Sequence, residues 1–157
     1  MSKTKVKKIE IKNADLAPMS AAITELLLCS IVDGKIIYRL NKLLKTINDY
    51  LNCVQETKRD ISKTLADKDV NGKPIILYPK KEDPNYGVYQ IRKNASLYDI
   101  ELANIDNETV ELEVIPIKYD ILWEKAKKKE NFGPRFSVLL DTVIECDDSE
   151  EDLIEAE

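Results

Sequence analysis

The residue types best able to do chemistry in this chain are carboxylates and thiols, because there is no histidine in its 157 residues. General acid–base catalysis would therefore fall to Asp and Glu. The candidate pair is Glu111 and Glu113, two residues apart in an alternating run. On a strand they would share one face about 7 Å apart, a glycosidase-like separation. The simpler account is a solvated face opposite Val110, Leu112 and Val114, and it is preferred. Cys29, Cys53 and Cys146 lack a histidine to activate them. Their odd number and wide spacing fit neither a disulfide framework nor a Cys-x-x-Cys knuckle. They read as reduced thiols in a cytoplasmic setting, with Cys29 and Cys53 as small buried hydrophobes on helices. Asp67-x-Asp69-x-x-Gly72 faintly echoes a calcium loop, but the other oxygen ligands and closing glutamate are missing. The expectation is no catalytic residue, no metal and no cofactor.

Charge is uneven. Glu145, Asp147, Asp148, Glu150, Glu151, Asp152, Glu155 and Glu157 close the chain without a base, so the net −5 conceals a slightly basic body. Such an end usually stays disordered, and Leu153-Ile154 within it could anchor a partner. Lys125, Lys127, Lys128, Lys129 and Arg135 lie near Trp123 and Phe132, the mixture that single-strand binding uses. The acidic whole and the lack of a recognised motif argue against nucleic acid. No apolar run approaches the ~18 residues of a membrane span, and no secretory leader is expected.

The elements follow from periodicity. Val6 to Ile11 reads as a lysine-bearing edge strand. Asn13 or Asp15 can cap a helix whose stripe is Met19, Ile23, Leu26, Leu27 and Ile31, with Asp33-Gly34 ending it. Then comes the strongest pattern in the chain. Leu40, Leu44, Ile47, Leu51, Val54, Ile61 and Leu65 recur at helical spacing, with neither Gly nor Pro from 35 to 70. A helix of about 30 residues, paired antiparallel with the first, is expected. Its distal half would outrun the shorter partner and offer a seam to other protein copies.

Val70 to Pro74 reads as a turn, and Ile75–Tyr78 and Val88–Ile91 as short strands around a loop. Ser96 with Asp99 suggests a capping box opening a helix over 97–105, although Tyr98, Ile100 and Leu102 also alternate. Residues 110–114 form a period-two strand. Tyr119 to Lys129 is ambiguous, and Ser137 could cap a last helix through Ile144.

The helical pair, GKIIYRLNKLLKTINDYL, KDVNGKPI, LANIDNETVELEVIPI and FSVLLDTVIECDD together resemble small proteins of tailed-phage genomes and prophages. Those share a helical hairpin, a D-x-x-G turn, a Glu-alternating strand and an acidic end. The segment 78–89 and the lysines at 127–129 depart from that pattern. The resemblance implies a phage origin and carries no catalytic residues.

The expected fold is α+β and mostly helical, a helical hairpin with a small sheet from 5–11 and 109–116. One domain would span 1–146, with an acidic tail at 147–157. The expected function is a non-enzymatic phage interaction protein, virion-associated or acting in assembly. It would self-associate or bind other virion proteins, in the host cytoplasm and then in the particle. The competing expectation is a soluble inhibitor of a host defence or transcription complex, acting through the acidic tail.

Overall fold

A computed structural model describes residues 5–146, so the expected tail at 147–157 lies outside the described residues. The fold is α+β and mostly helical. The chain forms two compact units. The first joins residues up to Leu51 with those from Thr109 onward, and the second is Asn52–Glu108.

The first unit starts with β1 (Lys7–Lys12), which pairs antiparallel with β2 (Thr109–Val114) as a two-stranded sheet. The register sets Ile9 opposite Leu112 and Glu10 opposite Glu111. Strand alternation therefore sends Leu112 and Val114 inward and Glu111 and Glu113 to solvent. α1 (Asn13–Leu27) buries Leu16, Met19, Ile23 and Leu26, spaced three and four apart. Pro18 lies beyond the four amides that lack a helical acceptor, so α1 forgoes one internal hydrogen bond there.

The end of α1 differs from expectation. Leu28 and Cys29 bond back to Glu25 and Leu26, and Ser30 takes a left-handed backbone with φ of 53°. That stops the helix before Ile31. The released segment is stitched to 125–128 through Val32 N–H to Lys125 and Lys128 N–H to Cys29. Asp33-Gly34 opens the next helix rather than closing this one. The Asp33 carboxylate accepts from the amides of Lys35 at 3.0 Å and Ile36 at 3.2 Å, the geometry of an N-cap. No side-chain cap precedes α1, where Asn13 or Asp15 was expected to supply one.

α2 (Gly34–Leu65) runs 32 residues without a breaker. Its first half buries Ile36, Leu40, Leu43 and Ile47 in the core, and Asn48 lies 3.1 Å from the Ser20 hydroxyl of α1. β3 (Ile117–Lys118), α4 (Tyr119–Lys125) and β4 (Ile144–Glu145) complete this unit with two 3-10 turns, Lys129–Asn131 and Pro134–Leu139. No helix extends to Ile144. Ser137 donates its hydroxyl to the Pro134 carbonyl inside the 3-10 turn, Asp141 turns left-handed, and β4 joins β3 in parallel. Leu16, Ile23, Leu40, Ile47, Leu112, Leu122 and Leu139 are fully interior.

In the second unit the distal α2 is followed by a turn, a loop-rich hairpin and α3 (Ala95–Asn107). The two expected short strands reduce to one antiparallel bridge, Ile76 to Tyr89, flanked by Leu77 N–H to Val88 and Gln90 N–H to Ile75. The alternation at Tyr98, Ile100 and Leu102 gives way to helix, without the Ser96 capping box.

Ile47 is 0% exposed, whereas Ile61 is only half-buried. Ile47→Ala is therefore expected to destabilise the protein by about 2–5 kcal/mol, the range for emptying a packed site, and Ile61→Ala by clearly less. Denaturant unfolding checks this, and equal losses would contradict the division of the helix.

Candidate functional site

The residues singled out for chemistry do not assemble into a reaction centre. Glu111 and Glu113 are exposed, and Lys8 stands 3.8 Å from Glu111 as a surface pair of about 0–1 kcal/mol. With Arg39 and Lys42 they rim a cleft of about 390 Å³ whose floor includes Leu40, Leu43 and Val114. Positive and negative side chains thus face one apolar floor. Cys29 is buried, but just past the end of α1 and not on a helix. Burial, then Glu25 and Glu130, pushes its thiol above the usual cysteine range, so it stays protonated and weakly nucleophilic. Cys53, expected to be buried, is exposed, as is Cys146. It falls between Tyr50 and Val54 but off their stripe.

The aromatic residues beside the lysines engage one another. Trp123 stacks on Phe132 at 5.2 Å and on Tyr119 at 6.2 Å, with Lys129 Nζ 5.2 Å from its ring centroid. Phe136 meets Tyr119 and Phe132 edge-on. Rings so occupied hold the C-terminal turns together and are poorly placed to stack bases.

Asp67 and Asp69 are structural. Asp67 receives hydrogen bonds from Gln90 Nε2 at 3.0 Å and from the Arg92 and Lys93 amides at 3.1 Å. Its backbone also bonds Gln90 and Ile75. One carboxylate thus ties the end of α2 to the hairpin and to the approach to α3. Asp69 accepts from the amides of Asn71 and Lys73, closing the turn in which Gly72 takes φ of 76°. Among the described residues no group of three or more His, Cys, Asp or Glu could hold a metal ion, and no helix is long and apolar enough to cross a membrane.

The expected seam divides in two. Leu40 and Ile47 are interior to the first unit, with Leu44 and Leu51 partly buried against the same core. These present little to another chain, because the fold already uses them. Val54, Ile61 and Leu65 lie half-buried in the second unit. There the distal α2 does not stand bare as expected, because α3 runs antiparallel along it. Lys58 Nζ reaches Asp106 at 2.7 Å, Ser62 meets the Tyr98 hydroxyl at 3.2 Å, and Asn94 Nδ2 bonds the Leu65 carbonyl at 3.3 Å.

The surface that stands out is the one α3 leaves open. Residues 52–108 contain a single buried residue, Ala66. On α3 no residue is buried. Tyr98, Leu102 and Ile105 form the half-buried side, while Leu97 and Ile100 are 46% and 56% exposed. Ile76, Leu77, Tyr78, Tyr86 and Val88 of the hairpin are exposed as well. Between hairpin and α3 lies a cleft of about 520 Å³, lined by Leu77, Val88, Ile91, Tyr98 and Asp99 among others. Sequence reasoning missed this face. The signal was present as two apolar series on one short helix, 97/100 and 98/102/105, of which only one can face the parent fold.

No protein-family model matches the chain, and no curated protein or solved structure is significantly similar to it.

The hydrogen bond from Gln90, followed by those from the chain amides, holds the Asp67 carboxyl below its ordinary value of about 3.9. A carboxylate depressed in the folded state stabilises above its unfolded pKa and ceases to do so as pH falls through the folded one. Amide signals of Arg92 and Lys93 in an NMR titration are accordingly expected to shift with a midpoint below the ordinary carboxylate value. Asp67→Ala should abolish that transition and open 75–94 to protease. A midpoint at or above the ordinary carboxylate value would contradict the anchoring role.

Proposed function

We propose that the chain is a non-enzymatic protein–protein interaction module whose docking surface is the outer face of residues 52–108. The observation that carries this reading is the poverty of that unit's interior beside its exposed Leu97, Ile100, Leu77 and Tyr78. A stretch of this size is marginal even with a full core, and clustered exposed apolar side chains favour a protein partner. The distribution of carboxylates and thiols supports no catalytic role.

The sequence resemblance supports assigning the module to a tailed phage, as a virion-associated structural or assembly component made in the host cytoplasm. A second reading draws on the run of acids from Glu145 to Glu157. In it the protein inhibits a host defence or transcription complex through an electrostatic tail. The two differ in physics. Tail binding would fade steeply with salt and vanish on removal of 147–157, because exposed charges are screened beyond about 8 Å at physiological ionic strength. Apolar docking would survive both changes.

The direct test replaces Leu97 and Ile100 together with Ser. Both side chains are exposed, so the fold should hold by circular dichroism. Burying such a side chain at an interface contributes about 1.5–3 kcal/mol, so partner affinity should drop about tenfold or more. Quantitative mass spectrometry of purified particles should then find the wild-type chain at a fixed copy number and the variant depleted. Undiminished incorporation of the folded variant would sink the assignment of this face.

A further inference from the structure

We infer that the occupant of this face is a second copy of the chain, with α3 of each copy set against the 68–93 segment of the other. The inference rests on the docking role proposed above and names its partner. Charge distribution carries it. α3 holds Asp99, Glu101 and Asp106 and no base. The segment 68–93 holds Lys68, Lys73, Lys80, Lys81, Arg92 and Lys93 against Asp69, Glu82 and Asp83. Both surfaces also carry exposed apolar side chains, Leu97 and Ile100 on one and Leu77 and Tyr78 on the other.

A partner of one charge sign would satisfy half of this face and be repelled by the rest. A nucleic acid or an anionic lipid surface meets that objection at α3. A surface bearing its own complement suits a two-fold interface, in which every contact made once is made twice. The cleft of about 520 Å³ lies between the two regions, with Asp99 on its lining. A two-fold axis over it brings the apolar side chains of each copy into the other's cleft. Asp106 already meets Lys58 within its own chain, and Glu101 is half-buried on the side of Tyr98 and Leu102, which leaves Asp99 as the exposed acid of α3 that steers the partner. On the basic side the exposed pair Lys80 and Lys81 has the matching role.

Sedimentation equilibrium of the full chain tests this, with circular dichroism verifying the fold of each variant. The wild type is expected to show a concentration-dependent monomer–dimer equilibrium. Lys80→Glu with Lys81→Glu, or Asp99→Lys, should each weaken the dimer about tenfold or more, since like charges then face each other. The three changes combined should restore it, a recovery that damage to the fold could not produce. A wild-type chain that stays monomeric, or a dimer indifferent to both reversals, would overturn the inference. Particle incorporation that still depends on Leu97 and Ile100 would in that case leave the docking role standing with a different partner. Incorporation independent of them would remove both.

Discussion

The structure depends on one constraint, the unbroken apolar stripe of α2. A helix of 32 residues is about 48 Å long, while α1, at 15 residues, reaches less than half of that. No single partner of that size can cover the stripe. The fold divides the task. Ile36, Leu40, Leu43 and Ile47 close the core of the first unit, and the distal turns acquire α3 through Lys58, Ser62 and Leu65. Lys58 and Ser62 fall at i and i+4, on one side of the helix, and Leu65 adds its backbone carbonyl.

The two units are stabilised by different physics. In the first, interdigitated aliphatic side chains exclude water, and the alternation of β2 turns Glu111 and Glu113 to solvent. In the second, polar geometry replaces burial. Asp67 gathers a side-chain amide and two chain amides, Asp69 closes a turn, and Asn94 meets the last carbonyl of α2. Each such hydrogen bond contributes only about 0.5–1.5 kcal/mol net. Units of this kind open locally at lower free energy than a packed core.

How much was legible follows from the same contrast. Long periodic segments were readable because burial imposes their period, so α2 appears where Leu40 to Leu65 predict it and β2 where Val110, Leu112 and Val114 alternate. Signals made of one or two residues were ambiguous. Asp-Gly fits the end of one helix as well as the start of the next, and here Asp33 caps α2 only because Ser30 had already broken α1. Ser137 looked like a cap, yet the parallel pairing of Ile117 with Ile144 withdraws the chain from helix. Cys53 shows the cost of judging burial by proximity in sequence, since one step around the helix moves a side chain about 100° off its stripe. The docking face was the least legible, because α3 spreads apolar residues around its circumference and only tertiary structure decides which side remains open.

That openness links stability to association. A ligand that binds only the folded form stabilises it by RT ln(1 + [L]/Kd), about 2.7 kcal/mol at a hundredfold excess over Kd. An increment of that size is a sizeable share of the ~5–15 kcal/mol net stability of an ordinary domain. In the docking role proposed above, association would do for residues 52–108 what Leu16, Ile23 and Leu112 do for the remainder, by removing apolar surface from water. This is a more economical use of Leu97 and Ile100 than any catalytic role, because a reaction centre needs positioned, desolvated polar groups and this face supplies apolar area edged with charge.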